Sequence, residues 1–100
     1  MEDEILTVFD FSTALLFLKG GTHVQRKGWN GKGLEIIYRK GYPDGIPCNE
    51  STARAYGLNV GDTFYCEPYF QIHNMNTHTV NTWVPSVSDI LADDWVLVLK

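Results

Sequence analysis

Eight residues, Arg26-Lys27-Gly28-Trp29-Asn30-Gly31-Lys32-Gly33, bring together three glycines, a tryptophan, an amide and three cations. Gly28, Gly31 and Gly33 free the backbone to turn its N–H groups toward one centre, an arrangement that favours anions. Trp29 offers a flat face on which a purine can stack, a contact worth about 1–3 kcal/mol per base. Asn30 both donates and accepts hydrogen bonds, so it can read a base edge or a ribose. Arg26 can grip a phosphate with its planar fork. A plainer reading stays open beside this one. Asn30-Gly31 also suits a turn joining two strands, with Trp29 filling the core. The run is not a P-loop, because the Lys-Ser/Thr pair is missing.

A second stretch runs from Trp83-Val84-Pro85-Ser86 through Asp89 to Asp93-Asp94-Trp95. Ser86 and Asp89 fall where a helix would start, and spare N–H groups there can meet a phosphate or a ribose hydroxyl. Here too the structural reading stands: Ser86 caps, Asp89 answers it, and Trp83 and Trp95 are core. His73 and His78 flank a polar stretch, and two histidines across a hairpin tip can bind a metal. They lack the closely spaced ligand pairs of a structural zinc site, so a solvated turn is expected and no metal. No serine or cysteine sits in a nucleophile-elbow context, and no Ser, His and Asp set stands out. Asp93-Asp94 reads as a polar cap between a helix and a strand rather than a catalytic pair. No cofactor is expected.

Composition narrows the partners. The chain has 100 residues and is 44% hydrophobic, enough apolar material for one packed domain. Residues 1–9 read as a short lead-in and 10–99 as the domain. A net charge of −4 argues against a nucleic-acid polymer as ligand. The charge is uneven: residues 19–54 carry seven basic and three acidic side chains, and the flanking thirds are acidic. A local basic patch suits a small anion better than a long polyanion. Cys48 and Cys66 are not arranged as C-x-x-C, the N-terminus is acidic where a secretory signal would be basic, and no apolar run is long enough for a membrane span. The expectation is a cytoplasmic protein with reduced thiols and no membrane partner. A domain this small buries a modest share of its surface, so a homo-oligomer is expected.

The elements that would position these residues follow from periodicity. Phe11, Ala14, Leu15 and Leu18 keep helical spacing, which predicts a helix from about residue 11 to residue 19, capped by Asp10 and stopped by Gly20-Gly21. Strands are predicted over 22–26, 34–39 and 63–66, in a hairpin of 69–73 with 79–83, and over 95–99. Tyr42-Pro43-Asp44-Gly45 reads as a turn. Asn49 should cap a short helix ending at Gly57, and Ser86 with Asp89 a short helix through Ala92. The fold class is therefore α+β: a mainly antiparallel sheet of about five strands, an N-terminal helix and two short helices.

The two runs also occur in a particular order. Gly28-Trp29-Asn30-Gly31-Lys32-Gly33 is followed by Asn49, Thr52-Ala53, Gly57, Gly61 and Pro68-Tyr69, then by Trp83-Val84-Pro85-Ser86 and Asp89 to Trp95. From about residue 11 to residue 98 this resembles the second Thoeris anti-defence family of small phage and prophage proteins. The resemblance implies a molecular sponge. Such a protein binds, without cleaving, the cyclic ADP-ribose isomer made by bacterial TIR-domain immune proteins, so the effector never receives its signal. It also implies a homotetramer built as a dimer of dimers, with the ligand held between subunits. For some members it implies cyclic di- or trinucleotides at separate sites. Carried onto matching positions, the family's pocket falls on Trp29, Asn30, Pro85, Ser86 and Asp89, to which the residue reading adds Arg26, Gly31 and Trp83. The acidic lead-in and the long tip Asn74 to Asn81 depart from the family pattern. Two other readings stay open: a hydrolase of cyclic nucleotides using Asp89 or Asp94, and a protein-interaction module.

A sponge needs affinity rather than turnover. Binding at about 1–100 nM corresponds to about −12 to −10 kcal/mol. One stacked tryptophan and a few polar contacts per chain fall short of that. A closed pocket shared by two chains desolvates its ligand more fully.

Overall fold

The first helix shows how closely local chemistry sets the elements. The computed structural model describes residues 7–29 and 33–99. Within them α1 spans Phe11–Lys19; the Asp10 side chain accepts from the Thr13 N–H at 2.9 Å, and Gly20 ends the helix. Its inward face carries Ala14 and Leu18, both fully buried. The remaining elements are β1 (Val24–Arg26), a 3₁₀ turn (Lys27–Trp29), β2 (Leu34–Arg39), β3 (Tyr42–Pro47), α2 (Glu50–Tyr56), β4 (Thr63–Cys66), β5 (Tyr69–Asn74), β6 (Thr79–Trp83), α3 (Val87–Leu91) and β7 (Trp95–Leu97). The α+β class expected from the sequence is the one observed.

The chain forms two compact units. One comprises Met1–Tyr38 with Phe70–Lys100, and the other Arg39–Tyr69. The first holds a five-stranded sheet in the order β6-β5-β2-β1-β7. Strand β1 pairs antiparallel with both β2 and β7, and β5 with β6. At one end of the β2–β5 pair the Met75 N–H bonds the Gly33 carbonyl at 2.7 Å, and at the other Tyr38 packs edge-on against Phe70, so these strands also run antiparallel. Helix α1 packs on β1 and β7, and Ala14, Leu18, Val24, Ile36 and Trp95 make the buried core. The lead-in is pinned at its end, because Phe9 and Trp95 exchange both backbone hydrogen bonds.

The second unit corrects one expectation. Tyr42-Pro43-Asp44-Gly45 is not a chain reversal; it opens strand β3. Tyr42 faces Cys66 and Ile46 faces Phe64, so four steps along β3 answer two along β4. The Pro-Asp-Gly surplus is absorbed as a bulge, with Gly45 at φ 94°. Long-range pairing with β4 overrides local turn chemistry. Elsewhere in this unit the capping expectations hold: Asn49 accepts from the Thr52 N–H at 2.8 Å, and Gly57 closes α2 in the left-handed region. Cys48 and Cys66 are both free thiols toward opposite ends of the β3–β4 ladder.

Candidate functional site

Register brings the two sequence runs together. In the β1–β7 ladder Arg26 pairs with Trp95, so the residues after Arg26 lie beside those before Trp95. The Lys27 N–H bonds the Asp94 carbonyl at 2.8 Å, which fixes the start of the 3₁₀ turn carrying Gly28 and Trp29. Trp95 is fully buried and forms the hub. Trp29 meets it edge-on with ring centroids 5.7 Å apart, Trp83 meets it at 6.1 Å, and Phe11 at 5.4 Å. Trp29 and Trp83 are both half-buried, so each serves the core and keeps part of its surface open. Such pairs add about 0.5–1.5 kcal/mol beyond their buried area. Trp29 thus packs on the core, as the plainer reading expects, while remaining half-buried.

The second run arrives through α3. Ser86 caps this helix with a complete capping box: its hydroxyl accepts from the Asp89 N–H at 3.1 Å, and its own N–H donates to Asp89 Oδ2 at 3.0 Å. The Trp95 indole N–H donates to the Asp89 carbonyl at 2.9 Å, tying α3 to the hub. Pro85 is half-buried and Ser86 exposed.

Arg26 is placed differently from the free phosphate grip the sequence suggests. Its Nε donates to Asp94 Oδ1 at 2.6 Å and its Nη1 to Asp89 Oδ1 at 2.9 Å. The guanidinium carbon also lies 6.0 Å over the Trp95 ring. The hydrogen bond to Asp94 is the main influence raising Arg26 above its ordinary range; partial burial opposes it and Asp89 adds to it. Burial pushes Asp89 upward, but hydrogen bonds from Ser86 and the Arg26 guanidinium outweigh it and hold the carboxyl below the usual aspartate value.

Arg26, Trp29, Trp83, Ser86 and Asp89 therefore lie around one hub, joined by the contacts above, and Pro85 directly precedes the Ser86 cap in the chain. Asn30 and Gly31 lie outside the described residues. Sequence reading missed Asp94 and Trp95 as the parts that join the runs. Their signal was an arginine and two aspartates 63 and 68 positions apart, meaningful only once β1 and β7 pair.

It also missed Glu35. This residue is fully buried, and the Nδ1 atoms of His23 and His73 lie 2.9 and 2.7 Å from its two oxygens. A charged residue inside the apolar run Leu34 to Tyr38 was the available clue, since a buried carboxylate requires partners. His73 stacks on His78 with ring centroids 5.6 Å apart. The tip itself is a tight turn, in which Asn74 Oδ1 accepts from the Asn76 and Thr77 N–H groups and His78 sits at φ 58°. Among the described residues no group of three or more histidines, cysteines or carboxylates could hold a metal ion. No helix among them is long and apolar enough to cross a membrane.

The comparisons with known proteins cover this whole arrangement. The model of the Thoeris anti-defense 2-like domain matches residues 9–98, beginning at the Phe9 pairing with Trp95 and including both runs. Thoeris anti-defense 2 of Bacillus phage SP01 is 34% identical over 95 residues, spanning 92% of this chain and 97% of the phage protein. With the family's domain matching residues 9–98 and a phage relative 34% identical across nearly the full length of both chains, the chain belongs to the Thoeris anti-defense 2 family.

Proposed function

We propose that this protein sequesters a cyclic ADP-ribose-type immune signal without cleaving it and so blocks activation of an anti-phage effector. The observation that carries the reading is the convergence of Trp29, Trp83 and the Ser86–Asp89 cap on the buried Trp95. A half-buried indole beside a capped turn suits a base stacked against Trp29, with polar groups of the ligand turned toward Pro85 and Ser86. Asn30, carried over from the family, and Gly31, added by the residue reading, are further proposed ligand contacts and lie outside the described residues.

Self-association supplies the opposite wall. Val84 is 80% exposed, and Val87 and Leu91 on α3 are exposed with it, an apolar surface next to the site that favours contact with a second subunit. The ligand then lies between subunits of a homo-oligomer, a dimer of dimers on the family pattern. No cofactor takes part, and the protein acts in the host cytoplasm.

The hydrolase reading finds less support. A general acid works best with a pKa near the working pH. Asp89 is held below the ordinary aspartate range, and both Asp89 and Asp94 are engaged by Arg26. Chromatography of an excess of cyclic ADP-ribose isomers incubated with the protein separates the readings. Sequestration predicts that total ligand is unchanged and that the bound amount saturates at a fixed ratio to protein. Products exceeding the protein in molar amount overturn it. Trp29→Ala should lose retention while circular dichroism still shows a cooperative fold.

A further inference from the structure

We propose that Asp94 is a positioning residue of the ligand site: with Arg26 it forms a brace that fixes the Trp29 segment against the Ser86 segment. The inference rests on the sequestration reading for its ligand. It assigns Arg26 to the protein's own architecture rather than to a ligand phosphate.

The polar connections between the two segments run through Asp94 and its neighbours. The Asp94 carbonyl receives the Lys27 N–H and so holds the turn that carries Trp29. Its carboxylate receives Arg26 Nε, Arg26 Nη1 reaches Asp89, and Asp89 closes the capping box on Ser86. The parallel route is Trp95, whose ring packs on Trp29 and whose indole N–H binds the Asp89 carbonyl. A Cβ placed on Gly28 would approach Asp94 Oδ2 at 3.9 Å, so the carboxylate lies directly against the 3₁₀ turn.

Charge and geometry both favour a brace. Two carboxylates share one guanidinium, so the corner carries a net charge of −1 when all three are ionised and offers little attraction to a phosphate. Nε and Nη1 reach the two carboxylates from separate, fixed positions on one rigid plane, a spacing that the single nitrogen of an ammonium does not reproduce. The side chains of Arg26, Asp89 and Asp94 are 24%, 15% and 37% exposed, so solvent screens the contacts less than it would a surface pair.

The test measures the Kd of a cyclic ADP-ribose isomer for the full chain and for Arg26→Met, Asp94→Asn and the double variant. Titrations are run at 20 °C, below the melting temperature of every protein, at low and high salt. The brace predicts that each single change weakens binding by about tenfold to a hundredfold. The double variant then binds no worse than the weaker single one, and the salt dependence matches wild type. Arg26→Lys should fail to restore affinity. Additive losses, or a loss of salt dependence on removing Arg26 alone, overturn the proposal, because they mark a direct phosphate contact. Wild-type affinity in Asp94→Asn with only a lowered Tm also overturns it, because a merely stabilising ion pair behaves that way. The Tm values of the four proteins test the brace without ligand: non-additive changes are expected, and additive ones contradict it. If wild type binds no isomer while the Tm changes are non-additive, the sequestration reading fails and the brace stands as architecture.

Discussion

Asp89 is the residue on which most of the site's polar bonds converge. One oxygen takes Arg26, the other takes the Ser86 N–H, and its backbone carbonyl takes the Trp95 indole. Its carboxyl titrates below the ordinary aspartate value of 3.8. The folded state therefore binds this proton less readily than the unfolded chain does. The resulting stabilisation is complete above the unfolded value and disappears as pH falls through the lower folded one. Thermal unfolding followed from pH 7 down to about pH 2 should show wild type losing stability in the acid limb. Asp89→Asn should start less stable at pH 7 and lose less on acidification. An identical acid limb in the variant would contradict the assignment. At this scale the sequence was partly legible. Ser86 with Asp89 reads as a capping box from spacing alone, because both partners lie within one helical turn. Arg26 does not read as their partner, because its contacts depend on strand pairing across most of the chain.

Local chemistry is most reliable at helix ends and least so where a distant strand competes. Helix α1 begins after Asp10 and ends at Gly20 as its side-chain pattern requires, and α2 is bounded by Asn49 and Gly57 in the same way. Tyr42 to Gly45 has the composition of a turn and forms a bulged strand, because β4 supplies backbone partners that a turn would forgo. Two glycines measure how much of this second unit depends on backbone conformation and how much on close packing. Gly57 sits at φ 70° with open space where a Cβ would lie, so Gly57→Ala should cost only the left-handed strain of about 1–2 kcal/mol. Gly41 sits at φ 66°, and a Cβ there would strike the backbone carbonyls of Cys66 and Glu67. Gly41→Ala should therefore cost clearly more, about 3 kcal/mol or above, because steric overlap adds to the same strain. Chemical denaturation of the two variants checks the order, and equal losses would show that the β3–β4 edge yields to accommodate the methyl group.

At the scale of the whole molecule, the sheet order explains why the site was only half visible beforehand. Strand β1 lies between β2 and β7, so the chain's first strand and its last are neighbours. Residues near 26 and near 94 meet for that reason, and no local pattern announces it. Family resemblance supplied the pairing of the two runs; the fold supplies its physical basis in Trp95. The same placement leaves Val84, Val87 and Leu91 of the α3 region exposed beside the candidate site, the surface assigned to self-association in the proposed function. The central claim is that the assembled protein holds an immune signal intact. The most direct measurement mixes the protein with cyclic ADP-ribose isomers, removes free ligand by desalting, denatures the protein by heat and identifies what the supernatant contains. Sequestration predicts recovery of one intact isomer in fixed proportion to the protein, with none carried by Trp29→Ala. A supernatant empty of every isomer, or holding only their cleavage products, would contradict it.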